Sequence, residues 1–345
     1  MAGIKDIAAK AGASIATVSR VINGSGYVAP ATRARIETAI AETGYRPNAG
    51  ARLIRTAESR MIGLLLPALD LHFFGILAHE VEQALSAQGY RALICSTDED
   101  PAREADYVAA LMAQRVDGVL AVSVTDESRA FRRLIMAGVP VVGLDRALPG
   151  IAADVVKADH AAGLRIAAEH VLALGHRRIA ILGAPGHSAP IQERLAGARA
   201  ALAAAGVEPV AVRIGAVHRF ETCRDLALDL LDQGHRPTAI LGTTDIAAIG
   251  AIHACVQRGL SVPDDMSITG FDDLPAARYV MPQLTTVAHP YRAIARHAVA
   301  VLLARIAGET PPGTPAEAAE LSLVLRGTTA PVAAPLTARQ PPSGG

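Results

Sequence analysis

The sequence lacks tryptophan altogether, and phenylalanine and tyrosine contribute only 5 and 6 of its 345 residues. Its cores must therefore be built from alanine, valine, isoleucine and leucine. Cysteine is equally sparse: Cys95, Cys223 and Cys255 are odd in number and far apart, which excludes a disulfide framework and points to a reducing compartment. Long apolar runs are missing too. Stretches such as Ile62–Leu66 are far too short to span a bilayer, and Met1 to Lys10 carries charges with no apolar core of signal-peptide length. The chain reads as cytoplasmic, with no membrane partner.

Catalytic signatures are absent as well. No GxGxxG follows a strand, and no glycine-rich loop ends in a Walker-type lysine. The 11 histidines do not pair with carboxylates or cysteines at metal-ligand spacing; His79-Glu80 has no second histidine four residues beyond the first. Gly186-His187-Ser188 is not a nucleophile elbow, and no Ser/His/Asp set stands out. Neither an enzyme, a cofactor nor a metal is expected.

Net charge is zero, 33 basic against 33 acidic residues, which taken alone argues against nucleic acid. The distribution argues for it. Residues 1–60 hold nine basic and four acidic residues, a balance of +5 that the remainder offsets. A small basic end on a mildly acidic body is the electrostatic footprint of a DNA-binding head. With 51% hydrophobic and 19% charged residues, the chain is globular and long enough for two or three domains.

Beyond residue 60 short apolar runs alternate with helical patterns. The strands expected are Met61–Leu66, Ala92–Cys95, Gly118–Val122, Pro140–Leu144, Arg178–Leu182, Val210–Ile214, Ala239–Leu241 and Met266–Gly270. Between them come helices at Gly75–Gln88, Ala102–Arg115, Ala161–Leu174, Arg194–Ala205, Cys223–Gln233 and Ile246–Arg258. This rhythm implies parallel sheets clad in helices on both faces. Some 270 residues fit two doubly wound lobes better than one, with a ligand cleft at the carboxyl ends of the strands. The tail from Thr329 onward, rich in Ala, Pro, Gly and Ser, is expected to be disordered.

The first 23 residues carry the sharpest pattern. Ile4 to Ala11 reads as a helix with Ile4, Ile7, Ala8 and Ala11 on one face. Gly12 supplies a turn where a Cβ would be strained. Ser14 caps a second helix running to Asn23, with Val18 and Val21 inward. These are the packing needs of a helix-turn-helix. The outer face offers Ile15, Ala16, Thr17, Ser19 and Arg20 to a major groove. Arg20 suits guanine, whose O6 and N7 match its fork. Ile15 and Ala16 suit thymine methyls, and Thr17 and Ser19 suit phosphate oxygens. A third helix from about Ala31 to Glu42 starts behind Pro30, and its Thr32, Arg33 and Arg35 either reach phosphates or are simply solvated. A three-helix bundle with no DNA role is the alternative.

The segment Asp6-Ile7-Ala8 … Ala11-Gly12-Ala13-Ser14 … Thr17-Val18-Ser19-Arg20-Val21-Ile22-Asn23, followed by Gly44-Tyr45-Arg46-Pro47-Asn48, resembles the headpiece of the lactose-repressor (LacI/GalR) family. The similarity continues through Leu174-Gly175-His176-Arg177-Arg178-Ile179-Ala180, Arg194 … Gly197, Ile268-Thr269-Gly270-Phe271-Asp272-Asp273 and Pro282-Gln283-Leu284-Thr285-Thr286-Val287. The resemblance implies an N-terminal all-α helix-turn-helix headpiece (residues 1–46) and a hinge (47–60). It implies a two-lobed α/β effector domain like a periplasmic binding protein (61–330) and a tail (331–345). It implies a homodimer on a pseudo-palindromic operator in double-stranded DNA, with a small-molecule effector that works as inducer or as corepressor. The DNA-binding set is Ser14, Ile15, Ala16, Thr17, Ser19, Arg20 and Asn23. In the hinge, Leu53 or Ile54 would wedge between base steps, although Gly50 weakens any helix there; a mere linker is the alternative.

For the effector, the resemblance carries over Arg194, Thr244, Asp245 and Asp272 from one lobe, and Asp70, His72, Phe73 and Asp145 from the other. Asp272 can accept from two neighbouring hydroxyls, and Arg194 can donate a bidentate pair. Phe73 or Phe220 can stack on an apolar ring face. Asp245 either touches ligand or caps the helix after it, and a cap is the alternative reading for one of Asp272 and Asp273 too. His218 lies near a position where relatives often place an aromatic contact, and no role is expected of it. Relatives often have Asn where Thr244 stands. A sugar or sugar derivative is the default effector, with a purine the alternative.

Overall fold

A computed structural model describes residues 3–45, 58–123, 129–313 and 320–332. The chain divides into two units, Met1–Arg60 and Met61–Gly345. Residues 47–57 of the expected hinge, with Leu53 and Ile54, lie outside the described residues.

The first unit is three helices: α1 (Ile4–Ala11), α2 (Ile15–Asn23) and α3 (Pro30–Thr43). Gly12 ends α1 at φ 57°, a left-handed conformation that costs glycine little. Ser14 then starts α2 by accepting from the Thr17 amide at 3.1 Å. Pro30 opens α3 one residue earlier than expected, because a first-turn position needs no N–H. Ile7, Val18 and Ile36, one from each helix, are fully buried against one another's cluster.

The second unit holds two sheets. In the first lobe the chain runs β1 (Met61–Leu66), α4 (His72–Ala87), β2 (Arg91–Ser96), α5 (Pro101–Ala113), β3 (Gly118–Ala121), α6 (Arg129–Met136), β4 (Val141–Leu144) and β5 (Asp154–Val156). In the second it runs α7 (His160–Ala173), β6 (Ile179–Gly183), α8 (Ala189–Ala204), β7 (Ala211–Ile214), α9 (Phe220–Asp232), β8 (Ala239–Gly242), α10 (Asp245–Gln257), β9 (Ser267–Asp272) and β10 (Thr285–Ala288). Two more elements follow, α11 (Tyr291–Ala307) and β11 (Ser322–Val324).

The first sheet is parallel in the order β2-β1-β3-β4-β5. The second repeats that winding as β7-β6-β8-β9-β10, with β11 antiparallel at its edge. Ile62, Leu64, Leu65 and Leu66 of β1 are all fully buried, as befits a strand covered on both faces. The helices sit close. A Cβ on Gly63 would lie 2.6 Å from Leu111 of α5, and one on Gly197 would lie 1.9 Å from the Ala161 carbonyl, so α7 and α8 meet backbone to backbone.

The expected strands and helices are present, shifted at their ends by up to a few residues. The regions 129–136, 154–156, 285–288, 291–307 and 322–324, for which nothing was expected, are α6, β5, β10, α11 and β11. Two of them explain how the lobes are joined. After β10 of the second sheet the chain enters α11, which lies on the first lobe: Leu302 would be 2.9 Å from a Cβ on Gly118 of β3, and Arg305 bonds both oxygens of Asp154 in β5. One expectation fails outright. Residues 329–332 are not a free tail: the Ala330 amide donates to Ser267 Oγ at 3.0 Å and the Val332 amide to the Leu174 carbonyl at 3.0 Å. Buried polar groups of the second lobe find partners in this segment, which composition could not reveal. Among the described residues, no helix is long and apolar enough to cross a membrane.

Candidate functional site

In the headpiece, α2 turns Val18 and Val21 into the core. Ser14, Ile15, Ala16 and Arg20 are thereby left exposed, with Thr17 and Ser19 half-buried beside them. Ile15 keeps 46% of its surface in solvent, which is unfavourable unless something apolar covers it. The Thr17 hydroxyl is shared with Ser14 Oγ at 2.8 Å, so it stiffens the cap as well as facing outward. Asn23 closes α2, and its side chain lies outside the described part. Tyr27, 86% exposed just past α2, escaped the sequence reading. Its signal was an aromatic residue standing alone among small and polar neighbours. Of the α3 residues, Arg33 faces Glu37 at 4.0 Å.

In the body, the carboxyl ends of both sheets point at one gap. From the first lobe, Leu71, Phe73, Glu99 and Asp145 line it. From the second come Ser188, Arg194, His218, Thr244 and Asp272. Asp145 follows β4, Thr244 follows β8 and Asp272 ends β9, so strand ends deliver the polar groups while strand bodies remain apolar.

Arg194 is 3% exposed and held on several sides. Its Nη1 donates to the Thr243 carbonyl at 2.7 Å, its Nη2 lies 3.2 Å from Asp272 Oδ1, and its guanidinium carbon stands 3.7 Å above the Phe271 ring. Asp272, itself 2% exposed, has left-handed φ at 116°. Burial raises its pKa to about 6 despite the pull of Arg194, and the nearby Asp145 charge adds to the rise. The N–H groups of Arg194 are not aimed at Oδ1, which therefore accepts no hydrogen bond among the described residues.

Asp145 accepts from or is faced by two imidazoles: His160 Nε2 at 2.9 Å and His289 Nε2 at 3.7 Å. Burial by itself would raise the Asp145 carboxyl, but the two histidines hold it well below the usual carboxylate range. The Arg194 Nε donates to His160 Nδ1 at 3.4 Å, which makes Nε2 the protonated nitrogen of that ring. Burial drives the His289 imidazole down to about 4. Phe73, Tyr291 and His289 pack as rings, with Phe73 at 5.2 Å from His289 and 5.3 Å from Tyr291. His160, His289, Tyr291, Phe271 and Thr243 were all missed from sequence. The expectation that no metal-ligand set exists rested on local spacing. The fold brings Asp145, His160 and His289 within 4.8 Å of one another.

Other sequence-based assignments move. Asp245 is fully buried and lies behind the cleft: Oδ2 accepts from the Leu274 amide at 2.6 Å and Oδ1 from the Thr286 hydroxyl. It shapes the turn that carries Asp272. Burial, with the Asp272 charge behind it, holds its carboxyl well above the usual range. The cap of α10 is Thr244, whose Oγ1 accepts from the Ala247 amide at 3.2 Å. Thr244 also meets His218 Nε2 at 3.0 Å, so His218 does stand in the cleft wall, contrary to expectation. Phe220 does not. It opens α9 and meets His253 edge-on at 4.9 Å, away from the lining. Asp70 is exposed, in an adjoining depression that also has Val217 and Arg219 and shares Leu71, Glu99 and His218 with the gap, and His72 is exposed at the start of α4.

The model of bacterial regulatory proteins of the lacI family matches residues 3–48, and that of the periplasmic binding protein-like domain matches residues 168–329. The transcriptional regulator DegA of Bacillus subtilis strain 168 is 36% identical over 294 residues, 84% of this chain and 87% of that protein. The chain belongs to the LacI family. The ribose operon repressor of Escherichia coli K12 is 33% identical over 313 residues, 90% of this chain and 94% of that one. Among solved structures, the lac repressor dimer bound to operator and the anti-inducer ONPF superposes with a TM-score of 0.83 at 30% identity, over 95% of this chain and 99% of that one. The regulator CelR in complex with cellobiose does so with a TM-score of 0.70 at 30% identity, over 95% and 100%. This LacI-family chain is accordingly a DNA-binding transcription regulator with a helix-turn-helix head and a periplasmic-binding-protein-like body, as the resemblance implied. Its relatives are regulators rather than enzymes.

Proposed function

We propose that this LacI-family protein is a cytoplasmic, non-catalytic repressor that binds a pseudo-palindromic operator as a homodimer and is controlled by a small polyhydroxylated effector held between its lobes. Ser14, Ile15, Ala16, Thr17, Ser19, Arg20 and Asn23 meet the operator in this reading. Asp145, Arg194, Thr244 and Asp272 meet the effector, with Phe73 against its apolar side. Domain limits at 46, 60 and 330 belong to the same proposal.

One observation carries the effector half: Asp145, Arg194 and Asp272 are 4%, 3% and 2% exposed yet face a single gap between two lobes. Burying charge is costly, and a fold with no use for it would fill the gap with aliphatics. Two carboxylates and one guanidinium suit a ligand rich in hydroxyls, which both accept and donate. The relatives named for ribose and cellobiose agree with that chemistry. A switch further requires that the effector bind the two states of the body with different affinity.

The test is a calorimetric screen of monosaccharides, sugar phosphates and nucleobases. The expected result is a saturable ligand lost in Asp272→Asn. A ligand bound equally by the wild type, Asp272→Asn and Arg194→Lys would place the effector elsewhere.

A further inference from the structure

We propose that Asp145, His160 and His289 form a binding site for one divalent transition-metal ion at the floor of the cleft. The three ligand atoms, one carboxylate oxygen and two imidazole nitrogens, lie within 4.8 Å of one another and all three residues are buried. The set matches the taste of borderline ions such as Zn2+, Co2+ and Ni2+, and it is too poor in oxygen for Ca2+ or Mg2+. Metal–ligand distances of about 2.0–2.1 Å at tetrahedral angles place neighbouring ligands about 3.3 Å apart. The observed 2.9 Å from Asp145 to His160 and 3.7 Å from Asp145 to His289 bracket that spacing.

A second observation points to an occupant. Both nitrogens of His289 are buried and neither has a hydrogen-bond partner among the described residues. An imidazole with two unsatisfied nitrogens is costly in an interior and calls for a water or an ion. Its side chain is 1% exposed and stands beside the Asp145 carboxylate.

His160 needs one rearrangement. The ring changes tautomer: its Nε2 proton is lost to water as that lone pair binds the ion, and Nδ1 takes up a proton, which breaks the 3.4 Å contact from Arg194 Nε. Arg194 retains the Thr243 carbonyl and Asp272. The placement gives the ion a mechanical role. Asp145 follows a first-lobe strand, whereas His160 starts α7 and His289 precedes α11, two of the three places where the chain passes between lobes, the third being the return from α11 to β11. A bound ion ties both crossings to the first lobe, and it has coordination positions left for an oxygen donor of water or effector.

The experiment uses tag-free, full-length protein stripped with a chelator. It is titrated with Co2+ by visible absorption and with Zn2+ by calorimetry, without DNA or effector. One ion per chain is expected, with d–d bands of a low-coordinate nitrogen–oxygen site. His160→Ala and His289→Ala should each weaken uptake by at least about 100-fold, beyond the range seen for outer partners alone. No saturable uptake, or uptake unchanged in the double variant, overturns the site. Should a variant fail to fold, anomalous scattering from Zn2+-loaded wild-type crystals decides: a peak among the three side chains supports the site, and a peak elsewhere or none overturns it. Metal uptake is read by itself, so failure of the effector assignment leaves this result standing.

Discussion

The headpiece and the cleft handle polar groups in opposite ways. In the headpiece the key contacts are wet: Ser14 to Thr17 and Gly3 to Asp6 within one turn, and Lys10 to Glu42 across one helix pair. Ser14, Ile15, Ala16 and Arg20, proposed to meet DNA, are exposed at the start and along the outer face of α2. In the cleft the contacts are long-range and dry: Arg194 to Thr243, Asp245 to Thr286, and Asp145 to both His160 and His289. The difference teaches where each property resides. Reading DNA needs a rigid surface whose side chains remain free until the groove arrives. Sensing a ligand needs charges withdrawn from water and held by several segments at once, so that moving one lobe disturbs all of them.

Four substitutions or conditions sharpen that contrast, and the body should suffer most. Gly197→Ala drives a methyl into the Ala161 carbonyl, 1.9 Å away. It should cost at least about 4 kcal/mol in urea unfolding of the body, and leave the headpiece helices unchanged by NMR. Loss below about 1 kcal/mol would mean that α7 and α8 separate easily. Next comes acid. Burial depresses the His218 pKa to about 4 from an ordinary 6.5, so between those values the unfolded chain holds a proton that the folded chain does not. Stability from this group is present above pH 6.5 and is lost as pH falls toward 4. His218→Gln should therefore gain on the wild type by about 2 kcal/mol on going from pH 7 to pH 4, screened in part by cleft solvent. A constant difference across that window would show that the ring is already protonated or well hydrated.

The headpiece changes are smaller and are read on DNA. Arg20→Ala should cost about 1–3 kcal/mol of operator affinity and relax the base preference at one position per half-site, with no change in body unfolding. Unaltered sequence preference would remove Arg20 from the reading face. Ser14→Ala deletes the cap of α2 and should lower headpiece stability by about 1 kcal/mol, measured by thermal unfolding of the full chain followed at headpiece resonances. The absence of any change would mean that the Thr17 hydroxyl or water replaces the cap.

The same contrast explains what the sequence made legible. The headpiece could be read almost residue by residue, because cap, turn and inward valines are neighbours in the chain. The parallel sheets were legible from alternating apolar runs. The cleft was half legible. Arg194, Asp145 and Asp272 came from resemblance, and the fold does bring them to one gap. Phe220 went astray because aromatic chemistry alone says nothing of which way the first turn of α9 faces. Asp245 was misassigned by one helix position, since Thr244 takes the cap and sends Asp245 into the core. His160 and His289 were invisible because they meet Asp145 only where the chain crosses between lobes, His160 at the first crossing and His289 at the second. Short β5, β10 and β11 were missed for want of a full apolar run, and 329–332 because its partners are Ser267 and Leu174, far away in sequence.

The central claim is that the exposed face of α2 reads a symmetric operator. The most direct measurement is selection of the purified full-length protein on a random duplex pool, with and without metabolite extract, followed by sequencing. The account predicts enrichment of a two-fold symmetric site whose half-site loses one base preference in Arg20→Ala. No enriched sequence under either condition, or an enriched site without two-fold symmetry, would contradict it.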